Sequence, residues 1–210
     1  MELDKAIANR KTIRKFKNKN VSDEDVYKII QSAILAPSAK NRQPWRFYIL
    51  DDKQKEDITN MMYQWDEEYP DIHTSIKGSA NEMKSANRAI IIFTPNYHSK
   101  NKKTYYKKPD YLSLGAAIEH MNLKCFDLGL GCTWLCDTLY VADEINEYLN
   151  LDDLEQVSTL IIGYPEEIPE RRERFSIDKL LLNDFHKDNI CNSNSNSNSN
   201  SNSDNNKDDE

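Results

Sequence analysis

Residues 111–136 read Y-L-S-L-G-A-A-I-E-H-M-N-L-K-C-F-D-L-G-L-G-C-T-W-L-C, a run that changes its hydrophobic period partway through. Leu114, Ile118, Met121, Cys125 and Leu128 recur at helical spacing, while Leu112, Ala116 and Leu123 cover other faces. Such a helix is expected to be buried nearly all round. One face packs on a sheet and another on a second surface, which is either the core of the same chain or a partner subunit. Gly129 follows the apolar stripe and is suited to cap the helix, because a left-handed residue there carries no Cβ penalty. The chain then enters a strand. If Cys132 and Cys136 share that strand, a rise of ~3.3 Å per residue sets them about 13 Å apart, beyond disulfide reach, so buried thiols are expected.

Outward from this module, Ser22 followed by Asp23, Glu24 and Asp25 reads as a capped helix start, with carboxylates near the positive end of the helix dipole. Val26, Ile29, Ile30, Ala33 and Ile34 continue the stripe until Pro37 ends it. Strands are expected at residues 47–50, 89–94 and 157–162, the second apolar enough to be buried on both faces. A polar helix is expected at about 53–65, and residues 66–85 carry no pattern that selects a shape.

With 210 residues, one domain is expected, spanning 1–190. From 192 to 203 the chain is strict Asn-Ser alternation, with too little apolar surface to offset ordering the backbone, so 191–210 reads as a disordered tail. A net charge of -7 argues against nucleic acid as a partner. No segment has the roughly 18 to 20 apolar residues of a membrane span, and the N-terminus has no signal-peptide core, so a cytoplasmic protein is expected. Cys125, Cys132, Cys136 and Cys191 form no C-x-x-C pair, His73, His98, His120 and His186 are scattered, and no metal site is expected.

Against the acidic background stand two basic clusters, Arg10-Lys11-Thr12-Ile13-Arg14 and Arg171-Arg172-Glu173-Arg174. On an extended chain Arg10, Thr12 and Arg14 share one face, which converges two guanidinium groups and a hydroxyl of the kind a phosphate monoester takes. Surface charge is the alternative. The loop Pro37-Ser38-Ala39-Lys40-Asn41-Arg42-Gln43-Pro44-Trp45 is stiffened by prolines, offers amides suited to a heterocycle edge, and can be anchored by burial of Trp45. Gly129-Leu130-Gly131 is not a dinucleotide fingerprint, because it follows a helix where that motif follows a strand.

Taken in order, these segments resemble the nitroreductase family of flavoproteins. The resemblance rests on Arg10 to Arg14, Pro37 to Trp45, Gly115-Ala116-Ala117 running into Gly129-Leu130-Gly131 with Trp134, and Gly163-Tyr164-Pro165 followed by Arg172 and Arg174. It implies an α+β fold with a central, mostly antiparallel sheet flanked by helices, and a homodimer with FMN at the subunit interface. It further implies that Arg10, Thr12, Arg172 and Arg174 bind the phosphate, with Lys11 and Arg14 along the ribityl chain and pyrimidine edge. Pro37, Ser38, Ala39 and Asn41 would come from the other subunit, with Gln43 in the same loop, while Trp134, Leu135 and Cys136 line the flavin. Cys136-Asp137 stands where some relatives carry Glu-Gly.

The activity so implied is transfer of electrons from NAD(P)H to a small-molecule acceptor such as a nitroaromatic, quinone or flavin, by a ping-pong route. The cofactor carries the hydride, and no protein residue is needed as a catalytic acid. A reductive dehalogenase, a flavin-fragmenting enzyme or a non-enzymatic flavin-binding protein are the alternatives.

Overall fold

Helix α2 (Asp23–Ile34) begins where a hydroxyl can cap it: Ser22 Oγ accepts from the Asp25 amide at 3.1 Å. It buries Val26, Ile29 and Ala33, and Pro37 follows. The structure, a computed structural model, describes residues 2–96 and 107–182. It divides into two units, Met1–Glu170 and Arg171–Glu210. The tail expected from residue 191, with Cys191, His98 and His186, lies outside the described residues.

The first unit opens with α1 (Leu3–Asn9) and α2, then β1 (Arg46–Ile49) and α3 (Asp52–Glu68). A capping box starts α3, with Asp51 and Gln54 each accepting from the other's backbone amide. Then come α4 (Ile76–Ser85), β2 (Arg88–Pro95), α5 (Lys107–Asp127), β3 (Gly131–Leu135), α6 (Ala142–Leu149) and β4 (Leu154–Gly163). The second unit holds α7 (Ile177–Leu180). Among the described residues, no helix is long and apolar enough to cross a membrane.

The four strands form one antiparallel sheet in the order β1-β2-β4-β3. Strand β2 is buried on both faces and so divides two cores by simple alternation. Ile90 and Ile92 join Ile29 of α2 and Leu114, Ile118 and Met121 of α5. Ala89, Ile91 and Phe93 join Ile58 of α3, Met83 of α4 and Ile145 of α6. Helices α2 and α5 therefore cover one face, and α3, α4 and α6 the other.

Two differences from the sequence reading matter. Helix α5 buries one stripe through Leu114, Ala117, Ile118, Met121 and Cys125, but Leu112 is 76% exposed, so its second apolar face is open in the single chain. Helix α4 forms in the stretch that carried no readable pattern, burying Ile76, Ala80 and Met83 against α3. Gly129 does cap α5, with φ of 71°.

Candidate functional site

The first basic cluster lies along the free edge of β3. Thr12 pairs with Cys132 in a parallel bridge, the Ile13 amide donates to the Cys132 carbonyl at 3.0 Å, and the Thr133 hydroxyl donates to the Ile13 carbonyl. Farther on, the Lys17 amide donates to Tyr164 O at 2.8 Å and the Glu166 amide to Lys15 O at 3.0 Å. Ile13 and Phe16 both enter the core, which leaves Arg10, Lys11, Thr12 and Arg14 partly or fully exposed at the edge of the sheet.

Arg10 and Arg14 each pair with a different carboxylate, in contrast to the face-sharing expected of an extended chain. Arg10 Nε pairs with Glu119 of α5 at 3.3 Å, and Arg14 Nε with Glu82 of α4 at 3.0 Å, on helices covering opposite faces of the sheet. Two local causes break the alternation. The Arg10 amide still donates to Ala6 O at the end of α1, and the two buried side chains, Ile13 and Phe16, are three residues apart instead of two. Beside Arg10 and Lys11 is a small cleft of about 130 Å³, reached also by Asn122, Gly129 and Cys132.

At the far end of β3, Trp134 is 40% exposed, Leu135 is buried in the core, and Cys136 is exposed. Leu135 can therefore offer a ligand its backbone, not its side chain. Burial and then the nearby Asp137 charge push the Cys136 thiol up. Asp137 Oδ2 accepts from the hydroxyls of Ser75 and Ser79, each at 2.6 Å. One turn farther along α4, Glu82 Oε2 is buried without a hydrogen-bond partner. Burial raises the Glu82 carboxyl, Arg14 opposes the rise, and Asp137 adds to it. The sequence reading missed Ser75, Ser79 and Glu82. Their 75-79-82 spacing, one face of a helix, was the available signal.

The proline-bounded loop is built at the other edge, just before β1. Ser38 Oγ accepts from the Gln43 amide at 3.1 Å, and Gln43 Nε2 donates to Asn41 Oδ1 at 3.3 Å. Hydrogen bonds pin the loop to the start of α5: the Ala39 amide donates to Ser113 Oγ at 3.1 Å, and Arg42 donates to Asp110 Oδ1 through Nε, at 2.9 Å, and through Nη2. Trp45 is buried, as its role as anchor requires. Lys40, Asn41 and Gln43 all have positive φ, between 49° and 55°, a conformation that costs non-glycine residues energy and persists where the surroundings enforce it. Pro37, Ser38 and Ala39 form one wall of a cleft of about 690 Å³ whose other wall is Lys108, Leu112 and Ala116 of α5.

The loop precedes Arg46, which pairs with Phe93 opposite Gln156, whereas the cationic segment meets β3 at Cys132, which pairs with Ile162 opposite Arg88, toward the other end of the sheet. The two halves are also at opposite edges. Three inter-strand steps separate β1 from β3, about 14 Å. One chain thus carries two half-sites, a cationic edge with an exposed indole and an apolar cleft under a strained loop. Arg172 and Arg174 are exposed residues of the second unit.

Comparison with known proteins bears on this arrangement. The sequence profile of the nitroreductase family matches residues 7–164. An Archaeoglobus fulgidus protein, provisionally named NADH dehydrogenase/NAD(P)H nitroreductase, is 28% identical over 184 residues, covering 84% of this chain and 94% of its own. A Desulfovibrio desulfuricans chain solved in complex with FMN superposes with a TM-score of 0.71 at 27% identity, covering 87% of this chain and 96% of its own. A BluB-like flavoprotein from Clostridium difficile 630 gives 0.73 at 28%, covering 86% and 98%.

Proposed function

Because the chain belongs to the nitroreductase family, we propose that it works as a homodimeric, FMN-dependent oxidoreductase that takes electrons from NAD(P)H and delivers them to a small-molecule acceptor such as a nitroaromatic, quinone or flavin. The observation that carries the reading is the split site. The loop lies at the β1 edge and the cationic segment at the β3 edge, and β1 and β3 are themselves three inter-strand steps, about 14 Å, apart in one chain. In the proposed dimer a twofold axis packs the open face of α5 against its copy, and the loop of one protomer serves the cationic edge of the other.

The donor set fits FMN. Arg10, Lys11 and Thr12 offer a guanidinium, an ammonium and a hydroxyl within three residues, the chemistry a phosphate monoester takes. Arg14 is assigned to the pyrimidine edge of the ring, where a positive charge favours the reduced state. Trp134, Cys136 and the Leu135 backbone would line the ring from one subunit, and Pro37, Ser38, Ala39, Asn41 and Gln43 from the other. Bound FMN supplies two-electron redox chemistry between nicotinamide and acceptor. The residues of the chain bind, orient and exclude water, and none is required as an acid.

Purified protein is expected to be yellow with flavin absorbance, to have twice the chain mass by light scattering, and to oxidise NADH or NADPH when a nitroaromatic is present. A colourless monomer that fails to take up added FMN would overturn the reading.

A further inference from the structure

The proposed function gives Arg14 the task of placing positive charge at the flavin ring, yet Arg14 is already engaged. Its Nε lies 3.0 Å from Glu82 Oε1, and Glu82 is held in α4 with its side chain only 17% exposed, while that of Arg14 is 51% exposed. The flexible, solvent-facing member of the pair is the cation. The fixed member is the carboxylate, whose second oxygen is buried and accepts no hydrogen bond among the described residues. A second carboxylate, Asp137, is close enough to raise the Glu82 carboxyl. Asp137 itself accepts from Ser79 of α4 and from Ser75, which precedes that helix.

Resting on the proposed FMN site, we infer that Glu82 is a redox-tuning residue: it holds Arg14 and neutralises part of the charge that the flavin ring would otherwise feel. A guanidinium with an ion-pair partner at 3.0 Å presents a weaker field to a third group than a guanidinium without one. The net pull of the pair on a reduced, anionic ring is correspondingly smaller than that of Arg14 alone, and the contact keeps the guanidinium at Glu82. Glu82 therefore sets the potential through Arg14 and touches neither donor nor acceptor. A carboxylate with a merely structural role would be replaced by glutamine with no effect on the potential.

The test is the two-electron midpoint potential of FMN-loaded wild type, Glu82→Gln, Arg14→Ala and the double variant, by equilibrium dye titration, with FMN affinity measured in parallel. Glu82→Gln keeps the shape and hydrogen-bonding capacity and removes the charge. It is expected to raise the affinity for reduced over oxidised flavin about tenfold, which is ~30 mV for a two-electron couple. Arg14→Ala is expected to lower the potential farther in the Glu82→Gln background than in wild type, because Arg14, no longer held by Glu82, can there close on the ring. Equal shifts in both backgrounds, or an unchanged potential in Glu82→Gln, overturn the inference. So does loss of flavin from both Glu82→Gln and Glu82→Ala, since a residue that only competes for Arg14 is not needed to bind the cofactor. Wild-type protein that binds no FMN would sink the proposed function, and this inference with it. An FMN-bound wild type with an insensitive potential sinks the inference alone.

Discussion

A Cβ built on Gly131 would stand 2.5 Å from Cγ1 of Ile13 and 2.6 Å from its Cβ, so the N-terminal segment approaches β3 at a distance that only a glycine allows. The same holds at the other end of the segment, where a Cβ on Gly163 would come within 2.7 Å of the Phe16 ring.

Gly131→Ala is therefore expected to lift the segment off the β3 edge. Ile13 is buried and branched at the contacting carbon, and it cannot swing clear. Overpacking of this kind costs about 1 to 3 kcal/mol. Urea unfolding should show that loss, accompanied by weaker FMN binding. Unchanged stability would mean that the segment shifts without cost.

Arg42 is the charge partner of Asp110, which is 1% exposed. Arg42→Ala leaves that carboxylate buried without its cation, a change worth about 3 to 5 kcal/mol. The same change leaves the strained loop tied to the start of α5 through the Ala39 amide and Ser113. Chemical denaturation and the dimer mass should both report the lost ion pair, and a loss under about 1 kcal/mol would show that Asp110 finds another partner.

Leu112, at 76% exposure, tests the interface. Leu112→Asp at a truly free surface would alter stability by no more than about 0.5 kcal/mol. In the proposed dimer it puts a charge into the apolar cleft shared with Pro37 and Ala39. Light scattering should then find the single-chain mass with an unchanged far-ultraviolet circular dichroism spectrum. A stable Leu112→Asp dimer would place the interface elsewhere.

For Arg10, the expected effect is on affinity. In the proposed site Arg10→Ala would remove a charge-assisted hydrogen bond to phosphate, and FMN affinity should fall by about ten- to a hundredfold with little movement of the midpoint potential. Fluorescence titration measures the first and dye equilibration the second. A shift of potential as large as that of Arg14→Ala would contradict the separate roles given to the two arginines.

Tyr111 gives a prediction in pH. Burial, and then its hydrogen bond to Glu155, push its hydroxyl up to about 12 from an ordinary value of 10.0. The folded state thus holds this proton more tightly than the unfolded chain does. Its contribution to stability is fully present below about pH 10 and is lost as pH rises through about 12. In a spectrophotometric titration at alkaline pH, the difference between wild type and Tyr111→Phe should rise near 12. A difference centred near 10 would show that Tyr111 is free of Glu155.

What the sequence determined by itself was local. The helix starting after Ser22, the doubly buried strand through Ile90 and Ile92, the cap at Gly129 and the anchoring of the loop by Trp45 were each readable, because periodicity, capping and turn chemistry act over a few residues. The ordered motifs then carried the family and the α+β architecture. Only the tertiary structure decided that Arg10 turns to Glu119 while Arg14 turns to Glu82, that Leu112 stays uncovered in the single chain, and that the loop and the cationic segment stand at opposite edges. Arg14 and Glu82 are 68 positions apart. Periodicity records which side of an element is apolar, whereas the meeting of two polar groups so far apart depends on strand order and on which helix covers which face, and neither is written in the residues flanking either one.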